Sequence, residues 1–106
     1  PNITVQQETE TSSWFGFSLL LSNKLSSYRD DLVNILIENQ IECRPIVAGN
    51  FTKNPVIKFL NYRINGDLLV SDEIDKNGFF VGNDFRDLTK EINYLHKLIK
   101  DFEKNI

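Results

Sequence analysis

Methionine is absent from this sequence of 106 residues, cysteine, histidine and tryptophan occur once each, and neither sign of charge dominates. With Pro1 at the start and no initiator residue, the chain reads as a piece excised from a longer protein. The lone Cys43 has no partner for an internal disulfide and no second cysteine with which to bind a metal, a usage that suits a reducing cytoplasm. Twelve basic against fifteen acidic residues leave a net charge of -3 with no basic stripe, which excludes the electrostatic footprint of nucleic-acid binding. Long apolar runs are missing too. Leu19-Leu20-Leu21, with its lead-in from Trp14, falls far short of the ~20 residues that span a bilayer, and no signal-peptide pattern opens the chain. No membrane partner is expected.

Eight Phe and a hydrophobic share of 41% show that the chain can nonetheless build a core, and its length allows only one. Residues 1–12 are polar and read as a leader or linker with nothing to bury. Residues 14–21 place Phe15, Phe17, Leu19 and Leu21 on one face and Gly16 and Ser18 on the other, the pattern of a buried strand. Ser26 or Ser27 is positioned to cap a helix running to about Asn39, with Asp30 and Asp31 in its first turn and a broad apolar stripe from Tyr28 to Ile37. A second strand is expected over 41–45, stopped by Pro45. Residues 48–55 form the most loop-like stretch, followed by a short helix capped by Asn54 with Pro55 at its first position. Residues 62–70 could supply an edge strand, and Ser71-Asp72-Glu73 the capped start of a short helix ended by Gly78. Phe79 to Val81 reads as a strand, and the spacing of Leu88, Ile92, Leu95, Ile99 and Phe102 predicts a long final helix behind Asp87 or Thr89. The fold class is α+β: a two-layer sandwich in which helices cover one face of a small, mainly antiparallel sheet.

Few constellations carry chemistry. The only histidine, His96, lies mid-helix, and no Gly-x-Ser-x-Gly elbow exists to present a nucleophile, so a hydrolytic triad is not expected. Asp72, Glu73 and Asp75 crowd about one helical turn and read as a solvated first turn. Cys43 reads as a small apolar-side residue of a strand. Arg44, ahead of Pro45, can point a fork of donors at a phosphate or carboxylate, or pair with a neighbouring acid; both readings stand. The loop beyond it offers a backbone path opened by Gly49, amide and hydroxyl groups on Asn50 and Thr52, and a cation on Lys53, the groups that a sugar hydroxyl or phosphate needs.

Five stretches, in order, resemble the DegT-type sugar aminotransferase family in its C-terminal domain. They are Ser13-Trp14-Phe15-Gly16-Phe17; Arg44-Pro45 with Ala48-Gly49-Asn50-Phe51-Thr52-Lys53-Asn54-Pro55; Gly66-Asp67-Leu68; Gly78-Phe79-Phe80-Val81-Gly82-Asn83; and Leu88-Thr89. The branch that looks most similar is that of the pyridoxal-phosphate-dependent 3-dehydratases of nucleotide-linked 4-keto-6-deoxyhexoses, which serve lipopolysaccharide biosynthesis. The resemblance implies a fold-type-I enzyme, with residues 13–106 as the small domain that closes over a site held mainly by a large domain of the same chain. It also implies a homodimer, a cytoplasmic location, and a pyridoxal or pyridoxamine phosphate cofactor bound outside these residues. Arg44, Gly49, Asn50, Phe51, Thr52 and Lys53 would then face the nucleotide-sugar. No catalytic residue and no metal ligand is expected in this stretch. Phe51 stands where Leu is usual, Lys53 where Arg is common and Asn54 where Gln is typical; Lys for Arg loses bidentate geometry. A sugar-nucleotide aminotransferase, or a stand-alone α+β module that binds a small ligand, are the alternatives.

Overall fold

A computed structural model describes all residues, Pro1–Ile106. Its frame is the antiparallel pair formed by β2 (Gly16–Leu21) and β4 (Gly78–Gly82), in register at Phe17 with Val81 and Leu19 with Phe79. On one side β1 (Ile3–Val5) pairs with β2, and on the other β3 (Cys43–Arg44) pairs with β4, so the four strands lie in the order β1-β2-β4-β3, all antiparallel. Three helices complete the chain: α1 (Arg29–Glu38), α2 (Leu69–Asn77) and α3 (Thr89–Asn105). The small antiparallel sheet of the expected α+β fold is therefore present.

Strand alternation decides where the core lies. Leu19, Leu21, Phe79 and Val81 point to one face and are buried there against Leu32 and Leu36 of α1 and Leu95, Ile99 and Phe102 of α3, with Leu25 closing the end. The opposite face carries Ser18, Leu20 and Phe80. Ile46, from the loop after β3, and Ile74, from α2, reach that side, where they share a hollow with Ser18 and Leu20 and leave the three strand residues half-buried. Phe15 is displaced from the expected strand. It is almost fully exposed and packs its ring 5.9 Å from that of Phe80, on this partly covered face, while a side chain at position 16 would collide with the Phe80 ring.

Several local expectations are corrected. Residues 1–12 are not wholly a leader: Ile3–Val5 is an edge strand, and Asn2 donates to Glu103 of α3 at 3.2 Å, because β2 had an unpaired edge with ladder groups to satisfy. Neither Ser26 nor Ser27 caps α1. Ser27 takes a left-handed φ of 75° and donates its backbone N–H to Asn77 Oδ1 at 3.1 Å. No strand forms over 62–70. Leu69 and Val70 instead open α2, two residues ahead of the expected Ser71, with Asp67 Oδ1 accepting from the Leu69 N–H. At α3, Asp87 accepts from both the N–H and the hydroxyl of Thr89, and these bonds hold its carboxyl below the usual range. Asn54 accepts from the Val56 N–H, and Pro55–Phe59 form a 3₁₀ turn behind it.

Between that turn and α2 the chain projects from the body. Phe59, Leu60, Tyr62, Ile64, Leu69 and Val70 are all largely exposed, and only 13 of the 106 residues are buried. The radius of gyration, 15.5 Å, exceeds the about 13 Å expected of a compact chain of this length. An exposed apolar arm and a half-covered sheet describe a unit shaped to sit against something else.

Asn77 is a buried polar group that ties α2 to the turn before α1: besides Ser27, it meets Ser26 Oγ at 3.4 Å and Glu73 Oε1 at 2.9 Å. Asn77→Ala strands the Ser27 N–H and should lower unfolding free energy by about 1–3 kcal/mol. Leu36→Ala, which opens a cavity under the sheet, should cost about 2–5 kcal/mol. Phe59→Ser on the arm should leave the stability of this chain within about 0.5 kcal/mol, all three read by denaturant unfolding.

Candidate functional site

The loop after β3 is docked on α2 through a small set of polar contacts. Gly49 starts it with φ +55°, and a side chain there would run into Asp75, whose Cα lies 2.9 Å from the place a Cβ would occupy. Both the conformation and the approach require glycine. The next residue, Asn50, is buried. Its Nδ2 donates to Asp72 Oδ1 at 2.6 Å and its backbone N–H to Asp75 Oδ1 at 3.3 Å, while its Oδ1 accepts from the N–H and hydroxyl of Thr52 at 3.1 and 2.6 Å. Lys53 Nζ then lies 3.0 Å from Asp72 Oδ1 and 3.8 Å from Asp75 Oδ2. One helix face, at spacing i and i+3, thus holds both Asn50 and Lys53 of the loop, and Asn50 in turn holds Thr52.

Gly49, Asn50, Thr52 and Lys53 are therefore brought together, and Phe51 stands half exposed between them. Arg44 is not joined to this cluster. It lies exposed on β3 and pairs with Glu42 through Nε at 2.9 Å and Nη2 at 2.6 Å. Asp72 and Asp75, expected to be a solvated first turn, are instead the acceptors that hold the loop; the signal in the sequence was a Gly-Asn pair needing a partner, with two acids three residues apart. An open hollow of about 620 Å³ borders the cluster, lined by Lys53, Asp72, Asp75, Lys76 and Arg29 among others.

The electrostatics follow the contacts. Asp72 sits below the ordinary carboxylate range, chiefly because Asn50 donates to it and next because Lys53 does. Lys53 is raised chiefly by the hydrogen bond that it donates to Asp72. A lysine that must attack a carbonyl needs the opposite shift, so Lys53 is not built as a nucleophile. His96 is exposed on α3 and borders a different hollow, with Asn2, Phe17 and Glu103. Cys43, on β3, has its thiol pushed up to about 11 by burial. No group of three or more His, Cys, Asp or Glu is arranged to hold a metal ion. No helix is long and apolar enough to cross a membrane.

A curated protein of Yersinia pseudotuberculosis, "GDP-4-keto-6-deoxy-D-mannose 3-dehydratase", is 50% identical to the chain over 101 residues, 94% of the chain and 26% of that protein. The chain is homologous to these 3-dehydratases. The lipopolysaccharide biosynthesis protein RfbH of Salmonella typhimurium is 33% identical over 104 residues, 96% of the chain and 23% of the relative. Among solved structures, the E. coli GDP-4-keto-6-deoxy-D-mannose-3-dehydratase with bound hydrated PLP superposes with a TM-score of 0.85 at 45% identity, over 92% of the chain and 25% of that enzyme. No family model matches the chain. The chain spans about a quarter of the length of the relatives it matches. The α+β fold read from the strand and helix periodicities is the fold of the matching quarter.

The loop contacts predict their own pH dependence. Asp72, with a lowered value, contributes fully above the ordinary carboxylate pKa and loses its contribution as pH falls through the lowered one. Lys53, with a raised value, contributes below the ordinary lysine pKa and loses that only as pH rises past the raised one. Protection of the Thr52 amide against hydrogen exchange, corrected for intrinsic rate, should be flat from about pH 5 to about pH 10 and fall in stronger acid. Added salt should weaken it, because the pair is exposed. At pH 8 about one Cys43 thiol in a thousand is ionised, so alkylation should run on the order of a hundredfold slower than at a free cysteine.

Proposed function

We propose that this chain is the C-terminal small domain of a pyridoxal-phosphate-dependent enzyme that removes the C-3 hydroxyl of a nucleotide-linked 4-keto-6-deoxyhexose, GDP-linked in the first instance, on a route to lipopolysaccharide deoxysugars in the cytoplasm. The observation that carries this reading is the homology itself, sustained over 94% of the chain at 50% identity and matched by a superposition at TM-score 0.85. The cofactor and the bond-breaking chemistry belong to the remaining three quarters of such an enzyme.

The role of this quarter is positional. Residues 1–12 include the connection toward the large domain of the same chain, with residues 13–106 as the small domain. The exposed Phe15 on the partly covered face of the sheet, together with the arm from Phe59 to Val70, supplies the apolar surface for that domain and for the second subunit of a homodimer. Arg44, Gly49, Asn50, Phe51, Thr52 and Lys53 form the edge turned toward the nucleotide-sugar. Arg44 has only an exposed neighbour, Glu42, to give up when a phosphate arrives, and a rigid fork is the donor suited to one. A domain that closes over substrate holds it in place and keeps water from the reacting carbons.

The test is made on the full-length protein. Purified enzyme should show the visible absorbance of bound cofactor, and incubation with GDP-4-keto-6-deoxymannose and an amino donor such as glutamate should yield a product that lacks the C-3 hydroxyl. Appearance of a 4-amino sugar would reassign the reaction to transamination, and no cofactor absorbance with no turnover would overturn the reading. Arg44→Ala should raise KM about tenfold, the size of a charge-assisted hydrogen bond, with melting temperature unchanged.

A further inference from the structure

We propose that Asp72 and Asp75 of α2 are positioning residues that set the loop of residues 49–53 for the sugar nucleotide, with Asn50 belonging to the frame and Phe51, Thr52 and Lys53 to the presented edge. The inference rests on the reading above that this loop faces substrate, and it divides the loop's residues by what their atoms have left to offer.

Asn50 has little left. It is 5% exposed, its side-chain oxygen already accepts twice from Thr52, and its amide nitrogen donates to Asp72. An asparagine committed in this way shapes a turn and does not read a ligand. Asp72 is the hub, because its Oδ1 meets both Asn50 Nδ2 and Lys53 Nζ, the two ends of the turn, at 2.6 and 3.0 Å. Asp75 supplies the other half: its Oδ1 receives the Asn50 backbone N–H, its Oδ2 faces Lys53 at 3.8 Å, and its backbone lies so close to Gly49 that no side chain fits between them. α2 is in turn fixed at its far end, where Arg29 Nη1 donates to the carbonyls of Asp75 and Gly78 at 3.1 and 3.3 Å. What remains available at the loop surface is the half-exposed Phe51 ring, the lone-pair capacity of the Thr52 hydroxyl and the outer hydrogens of Lys53. Lys53, the loop's cation, lies between two carboxylates, so its ammonium is oriented by α2 before any ligand arrives.

The experiment compares Asp72→Ala, the isosteric Asp72→Asn, and the reciprocal exchange Asn50→Asp with Asp72→Asn in the full-length, cofactor-loaded enzyme. Asp72→Ala should raise KM for the sugar nucleotide about tenfold, the size of one charge-assisted hydrogen bond, with kcat within about twofold. Hydrogen exchange over residues 49–53 should quicken by a similar factor while α3 is unchanged. Asp72→Asn should move both in the same direction by less, and it keeps the question open to measurement if the alanine variant does not fold. The reciprocal exchange places a donor opposite a carboxylate again and should restore most of the KM and the protection, which a general loss of stability would not do. Unchanged exchange over 49–53 in Asp72→Ala overturns the clamp. Faster exchange with unchanged KM, while Phe51→Ala or Lys53→Met raises KM, overturns the positioning role. Silence of Phe51→Ala and Lys53→Met in KM shows instead that the loop does not face substrate, and the proposal falls with that reading.

Discussion

Everything in this chain hangs on the antiparallel pairing of β2 with β4 and on the fact that a pleated pair has two faces but here receives one full layer of cover. Leu19, Leu21, Phe79 and Val81 form the floor on which α1 and α3 pack, and this floor with its covering residues contains nearly all the buried hydrophobic side chains. The same alternation sends Leu20 and Phe80 to the other side, where Phe15, displaced beyond the strand end, joins Phe80 and Ile46 and Ile74 give only partial cover. A sheet so divided is stable enough to order the chain and leaves an apolar surface whose natural use is contact. In the function proposed above, that surface is where the rest of the enzyme packs.

The second constraint is local and polar. α2 runs directly into β4, so its residues are held by the sheet, and Asp72 and Asp75 project from it toward the loop that follows β3. The loop itself has no hydrophobic anchor of note: Phe51 is half exposed, and the residues that order it are Gly49, Asn50, Thr52 and Lys53. Its conformation is therefore written in hydrogen bonds to charged acceptors, which are directional and short-ranged and so can fix a presented edge to fractions of an ångström. Arg29 and Asn77 bind α2 to the start of α1, completing a path of contacts from the core helix to the loop.

Much of this was legible in the residues, and the failures are instructive. The strands and the long helices were readable because Phe17, Leu19 and Leu21 alternate and because Leu95, Ile99 and Phe102 recur at helical spacing. Ile3–Val5 was not, because three residues in a polar leader carry no periodicity; only the free edge of β2 makes them a strand. The stretch over 62–70 misled in the opposite sense, since Leu69 and Val70 look like strand residues and are the first turn of a helix. The loop was recognisable as a site candidate from its residue types. The acids that hold it were not, because Asp72 and Asp75 are some twenty residues away and read, by themselves, as an ordinary charged first turn.

The sequence alone determined the class of fold, the two long helices and their apolar stripes, the central strands, and a family resemblance carried by short motifs in a set order, since each of these is a matter of local spacing or residue identity. Only the tertiary structure decided which face of the sheet is left open, that Gly49 is demanded by the approach of Asp75, and that Asn50 and Lys53 are held by one helix. The reason is physical: periodicity specifies which side chains share a face, but a hydrogen bond between residues 50 and 72 exists only after the chain between them has folded back.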